Sequence, residues 1–142
     1  MKAADKWALT GILVNAVAYV FVGSRPLKSS PVIPDAFAFE IAEIVALVAL
    51  TIYAFSKGQT VPGVVFSLAL AEHIRQVVYC ERTAARSPRN LLTLMNYCIL
   101  LALAAHRGWW EIVAVMLIGI GIHVAMIVAN RPFTGLVCVA YN

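Results

Sequence analysis

Charge is what this sequence has least of. Of its 142 residues only 13% are Asp, Glu, Lys or Arg, while 62% are apolar, and the mean hydropathy is +0.85. A soluble domain carries about 25% charged and about 45–50% apolar residues. The shortage excludes an ordinary water-facing surface and leaves little room for a nucleic-acid footprint. The net charge of +4 is better explained by orientation bias and headgroup contact, and no nucleic-acid partner is expected.

Cysteine is also sparse. Cys80, Cys98 and Cys138 are far apart and show no CxxC spacing. That leaves no disulfide framework and no thiolate metal cluster, so they read as buried apolar thiols. Catalytic signatures are missing as well: there is no phosphate-cradling glycine loop, no dinucleotide fingerprint, no HExxH and no GxSxG. No cofactor and no metal are expected. Glu40, Glu43, Glu72, His73 and His123 are acceptable ligand types, but Glu-x-x-Glu and an adjacent Glu-His replace the Glu-x-x-His of di-iron bundles. Low-complexity segments and a convincing internal repeat are absent too.

What is present is a series of long apolar runs. They fall at about 7–23, 36–55, 61–80, 90–106 and 109–130, each near the roughly 20 residues that cross a bilayer core as a helix. Lys2 and Lys6 precede the first run, which raises a signal peptide. The run exceeds the usual ~7–15 apolar residues of such a segment, so a retained helix is expected. Three prolines mark 24–35 as a loop, and Asp35 is the expected N-cap of the second helix. Pro62 suits the first turn of the third. The fourth run looks short for a span. Arg107 and Gly108 make a tight connection, and the last ten residues are too few to cross alone. The expected fold class is all-α: a polytopic integral membrane helical bundle of about five transmembrane helices, forming one domain over 1–142.

Alternating spans place Lys2, Lys6, Lys57 and Arg107 on one side. Arg25, Lys28, Arg82, Arg86, Arg89 and Arg131 fall on the other. The six-to-four excess predicts a multi-pass cell-membrane protein with its N-terminus outside and its C-terminus cytoplasmic. Trp7, Trp109 and Trp110 gather on the first side, as an aromatic belt does.

The polar residues inside the runs share a depth. Counted inward from the Arg-rich side at about 1.5 Å per residue, Asn15, Glu40, Glu43, Glu72, His73, Asn96 and His123 fall in a slab roughly 9–12 Å down. Ionisable groups at such depth are expensive and point to function. Glu40 and Glu43 share a face at i,i+3, and Glu72, Arg75, Gln76 and Tyr79 form one stripe. His73 lies about 100° from Glu72, so the two cannot face one partner. Arg75 can neutralise only one of the three carboxyls, leaving the others protonated, metal-bound, paired with histidine or facing water. Asn15 and Asn96 suit interhelical hydrogen bonds. His106 reads as a solvated interfacial residue, and Glu111 as a first-turn charge favourable to its helix.

The expected function is binding of a lipid-like or amphipathic small molecule near the cytoplasmic side. Glu40, Arg75, Gln76, Asn96, Arg82 and Arg86 would form the ligand-binding set, with membrane lipids as further partners. The chemistry the layer suits is acid–base catalysis of isomerase or cyclase type, carried by Glu72, Glu43, His73 and His123. Two alternatives stand beside it: a proton- or cation-coupled transporter or channel acting as a homo-oligomer, and an accessory subunit of a larger membrane complex. The near absence of polar groups in the other half of each run counts against a continuous transport path.

Overall fold

A computed structural model describes residues 2–23, 34–79 and 88–129, with backbone alone at 19, 22–23, 34–40 and 79. Among the described residues the fold is entirely α-helical. Five helices follow in order: α1 (Ala3–Gly23), α2 (Pro34–Ser56), α3 (Thr60–Tyr79), α4 (Pro88–Arg107) and α5 (Trp110–Ala129). Three stretches are long and apolar enough to cross a membrane: Thr60–Val78, Pro88–Arg107 and Trp110–Ala129. Arg82, Arg86, Cys80, Cys138 and the last ten residues of the chain lie outside the described residues.

α1 begins at Ala3, four residues before the expected 7, and two further starts differ from the sequence expectation for one shared reason. α2 begins at Pro34 and α4 at Pro88, because the first helical position needs no amide hydrogen and favours the fixed φ of proline. Asp35 therefore lies inside the first turn of α2 instead of capping it. α4 gains Pro88 and Arg89 in its first turn and Arg107 at its end over the expected 90–106, and at 20 residues it is long and apolar enough to cross a membrane. That turn takes in Arg89, placed by the sequence in the basic loop. Arg89 is only 4% exposed.

The chain divides into two compact units, the α2–α3 hairpin and a group of α1, α4 and α5. In the second unit α4 packs against both α1 and α5. The α2–α3 and α4–α5 connections are built alike. The Gly58 amide donates to the Phe55 carbonyl (3.0 Å) and the Gln59 amide to that of Ala54 (2.8 Å). The Gly108 amide donates to Ala105 (3.2 Å) and the Trp109 amide to Ala104 (2.9 Å). Both glycines have positive φ, 68° and 69°. This is the Schellman ending, in which glycine takes the left-handed position and its own amide and that of the next residue close the last turn. The carbonyls of Gln59 and Trp109 then accept from Gly63 and Val113, both at 3.0 Å, to open the next helix. Sequence similarity does not display this repetition. It appears as turn geometry and as the placement of His73 and His123, each fifteen residues after its turn glycine.

Helical spacing sets which side chains face inward. On α2, Glu43 shares a face with Leu47, Leu50 and the buried Ala54, while Ile41, Val45, Val48 and Ile52 are exposed on the opposite face. On α3, His73 lines up with Ala69 and the buried Phe66 and Pro62, away from the exposed Ile74 and Val78. Gly63 lets the hairpin close, since a Cβ there would sit 2.6 Å from the Phe55 ring. On α4 the inward stripe is Arg89, Asn96, Leu100, Leu103 and Arg107, and on α1 it is Asp5, Ala8, Ile12 and Asn15.

Candidate functional site

In the α2–α3 hairpin the turn end is mostly apolar and buried: Ala54, Val61, Val65 and Phe66 are each 3% exposed or less, with the polar Gln59 buried among them at 6%. Toward the other end the inward faces turn polar and more open. His73 Nδ1 lies 3.4 Å from Glu43 Oε2, with the two side chains 23% and 38% exposed. Both stand on the faces that the two helices turn toward each other by helical spacing. The equal placement of Glu43 and His73 on either side of Gly58 is what brings them level in an antiparallel pair.

Beside them Glu72 is fully engaged. Arg75 Nε and Nη2 donate to Glu72 Oε2 and Oε1, both at 2.8 Å, and Gln76 Nε2 donates to Oε1 at 3.1 Å. A fork-to-fork pair of this kind is the strongest ion-pair geometry available. A lone charge at a span centre is disfavoured by about 2.5–3.5 kcal/mol, which pairing relieves. Glu72 and His73, neighbours in sequence, thus have different partners, as their angular separation requires. Glu40 lies in α2 three residues before Glu43, and its side chain is outside the described set.

The other unit holds two polar contacts of its own. Asn15 Nδ2 donates to Asn96 Oδ1 at 3.0 Å, the interhelical bond expected of those residues. His123 packs edge-on to Tyr97, ring centroids 5.1 Å apart, and its Nδ1 lies 2.9 Å from the Gly119 carbonyl oxygen. A carbonyl only accepts, so Nδ1 carries the proton.

At the far end of this unit is a pair that sequence reading missed. Arg107 Nη2 donates to Asp5 Oδ2, which also accepts from the Lys2 amide at 3.0 Å. The Arg107 guanidinium also stands 5.9 Å from the centre of the Trp109 ring. The Arg107 hydrogen bond holds the Asp5 carboxyl below its ordinary pKa range, against an opposing effect of burial and with help from the Lys2 amide. A usable signal existed: Asp5 falls on the Ala8, Ile12, Asn15 stripe, and a charge there needs a partner on the neighbouring helix. His106 is exposed and Glu111 lies in the first turn of α5, both as expected.

Among the described residues no group of three or more His, Cys, Asp or Glu side chains is arranged to hold a metal ion. What the hairpin does hold is a carboxyl against one ring nitrogen of an imidazole. In that arrangement the carboxyl can orient the ring through one of its nitrogens. Comparison with protein-family models, with curated proteins and with solved structures finds no match for this chain.

Proposed function

We propose that this chain is a five-span membrane protein that binds an amphipathic, lipid-like small molecule at the open end of the α2–α3 hairpin. The reading rests on the approach of Glu43 and His73. Two groups able to exchange a proton face each other on inward helix faces and stay partly accessible, at a depth where water is scarce. α1 and α2 complete the set of spans, with the N-terminus outside and the Arg-rich side cytoplasmic, as the Lys and Arg distribution favours.

In this reading Glu43 and His73 receive the polar end of the ligand, and Glu72, Arg75 and Gln76 form a rigid wall beside it. If turnover occurs, Glu43 is the proton donor and His73 the second acid–base group, because Glu72 is held in the Arg75 fork. His123 and Asn96 support the second unit.

The test is native mass spectrometry of the full chain released from its membrane in mild detergent. The wild type should retain a small apolar molecule. Glu43→Gln and His73→Gln should each lower its occupancy at least several-fold, while Glu111→Gln leaves it unchanged. Equal occupancy in all four proteins would remove the Glu43–His73 pair from the site.

A further inference from the structure

At the end of the α1, α4 and α5 unit where Asp5 meets Arg107, the charges are of two kinds. Asp5 and Arg107 are bonded to each other and largely buried. Lys2 and Lys6 are exposed, and neither ammonium pairs with a carboxylate among the described residues. We infer that this end is a docking surface for an anionic phospholipid, with Lys2 and Lys6 on the headgroup phosphate and the indoles of Trp7 and Trp110 at the boundary with its acyl chains. The inference needs the chain to lie in a bilayer and is independent of the Glu43–His73 site.

Three observations set the level of the bilayer surface on this unit. The membrane-length apolar stretch of α4 ends at Arg107, and that of α5 starts at Trp110. Trp7 is 77% and Trp110 68% exposed, although Ala8 and Ile112 close beside them are buried. An indole exposed at a helix end suits the headgroup level, which accommodates both its apolar body and its N–H donor. The Asp5–Arg107 bond ties the start of α1 to this same end, so Trp7 and Trp110 mark one level and not two.

The lysines stand at that level with the right spacing. Lys2 and Lys6 are four residues apart where α1 begins, so they share a face. Their long apolar stems can lie along the helix while each ammonium reaches outward to a phosphate. Asp5 does not neutralise them, because its carboxyl already accepts from Arg107 and from the Lys2 amide. Glu111, the other carboxyl at this end, stands in the first turn of α5, where it complements the positive end of that helix. Two ammoniums beside an aromatic girdle are complementary to a headgroup with net negative charge. Each basic residue near an anionic surface is expected to raise binding by about fivefold.

The test uses the full chain in nanodiscs of phosphatidylcholine carrying a small fraction of one photoreactive probe. The probe is either phosphatidylglycerol or phosphatidylcholine with the same diazirine placed near the headgroup, and adducts are mapped by peptide mass spectrometry. The expected result is labelling of residues 2–10 and 107–113 by the phosphatidylglycerol probe at least about fivefold above the phosphatidylcholine probe. The double variant Lys2→Gln, Lys6→Gln should lose that preference, and Lys2→Arg, Lys6→Arg should keep it. Thermal unfolding verifies that each variant is folded, and reading only these two segments separates this surface from the Arg-rich side. Equal labelling by the two probes in the wild type overturns the inference. So does a preference that survives in the Gln variant, and so does one that the Arg variant loses as well.

Discussion

His73 and Glu43 stand the same number of residues from Gly58, one on each side, and meet with Nδ1 3.4 Å from Oε2. A left-handed glycine and a Schellman ending set the register of two antiparallel helices, and that register makes two residues distant in sequence level neighbours. The same turn at Gly108 sets His123 level with Thr93, where no carboxyl exists. One hairpin therefore carries a Glu–His contact, and its structural counterpart carries a histidine bonded to the Gly119 carbonyl and packed against the Tyr97 ring.

The register depends on the turn glycines. A side chain at Gly58 would meet no atom within 4 Å, so Gly58→Ala tests the backbone alone. It should lower unfolding stability by about 1 kcal/mol, the usual disadvantage of a left-handed non-glycine residue. Gly58→Asn should lose less, since Asn visits that region more readily. Thermal unfolding in detergent measures both.

Close approach of α2 and α3 depends on Gly63. Gly63→Ala brings a methyl group into the Phe55 ring and should destabilise by about 1–2 kcal/mol, in the range of overpacking. Phe55 is half-exposed and can partly move aside, which favours the lower figure. In a Phe55→Leu background the loss should largely vanish. A double-mutant cycle on thermal unfolding checks the coupling, and additive effects would remove the contact as the cause.

Much of this architecture was legible in the sequence. Five apolar runs separated by proline, glycine and arginine predict five helices, since a backbone in an apolar solvent has to satisfy its own hydrogen bonds. The spacing of Glu72 and His73 correctly predicts that they face different partners, and the polarity of Asn15 and Asn96 predicts interhelical hydrogen bonding, though not that they bond to each other. Partner choice was not legible. Periodicity shows that Glu43 faces inward but not that His73 meets it, because register is set by the turn. Arg89 was read as loop because a following run of leucines looks like the helix start, whereas Pro88 begins it. The Asp5–Arg107 pair escaped notice because charges at a span end look like orientation signals.

The Asp5–Arg107 pair predicts a pH response of defined sign. The Asp5 pKa is lowered in the folded protein, first by the Arg107 hydrogen bond. Its stabilisation is therefore fully present above the ordinary aspartate value of about 4 and is lost as pH falls through the lower folded value. Wild-type thermal stability should drop over that acid window more than that of Asp5→Asn, and the two curves should converge below it. At neutral pH the pair should contribute about 1 kcal/mol, as expected for an ion pair near an interface. Curves that stay parallel through the acid range would argue against the pair.

Removing Arg75 should do more harm than removing both members of its pair. Arg75→Leu strands the Glu72 carboxylate at depth and should destabilise by about 2–3 kcal/mol, near the range for an uncompensated charge in a span. Adding Glu72→Leu should recover most of that loss. Unfolding of the three variants in lipid nanodiscs provides the comparison.

The most direct measurement is a density map of the full chain in lipid nanodiscs, viewed at the α2–α3 hairpin. The predicted result is elongated non-protein density whose polar end lies within about 3 Å of a Glu43 or His73 side-chain atom, a hydrogen-bond separation. The contradicting result is a Glu43–His73 pair covered entirely by protein side chains, from this chain or from a second copy, with no room for a bound molecule.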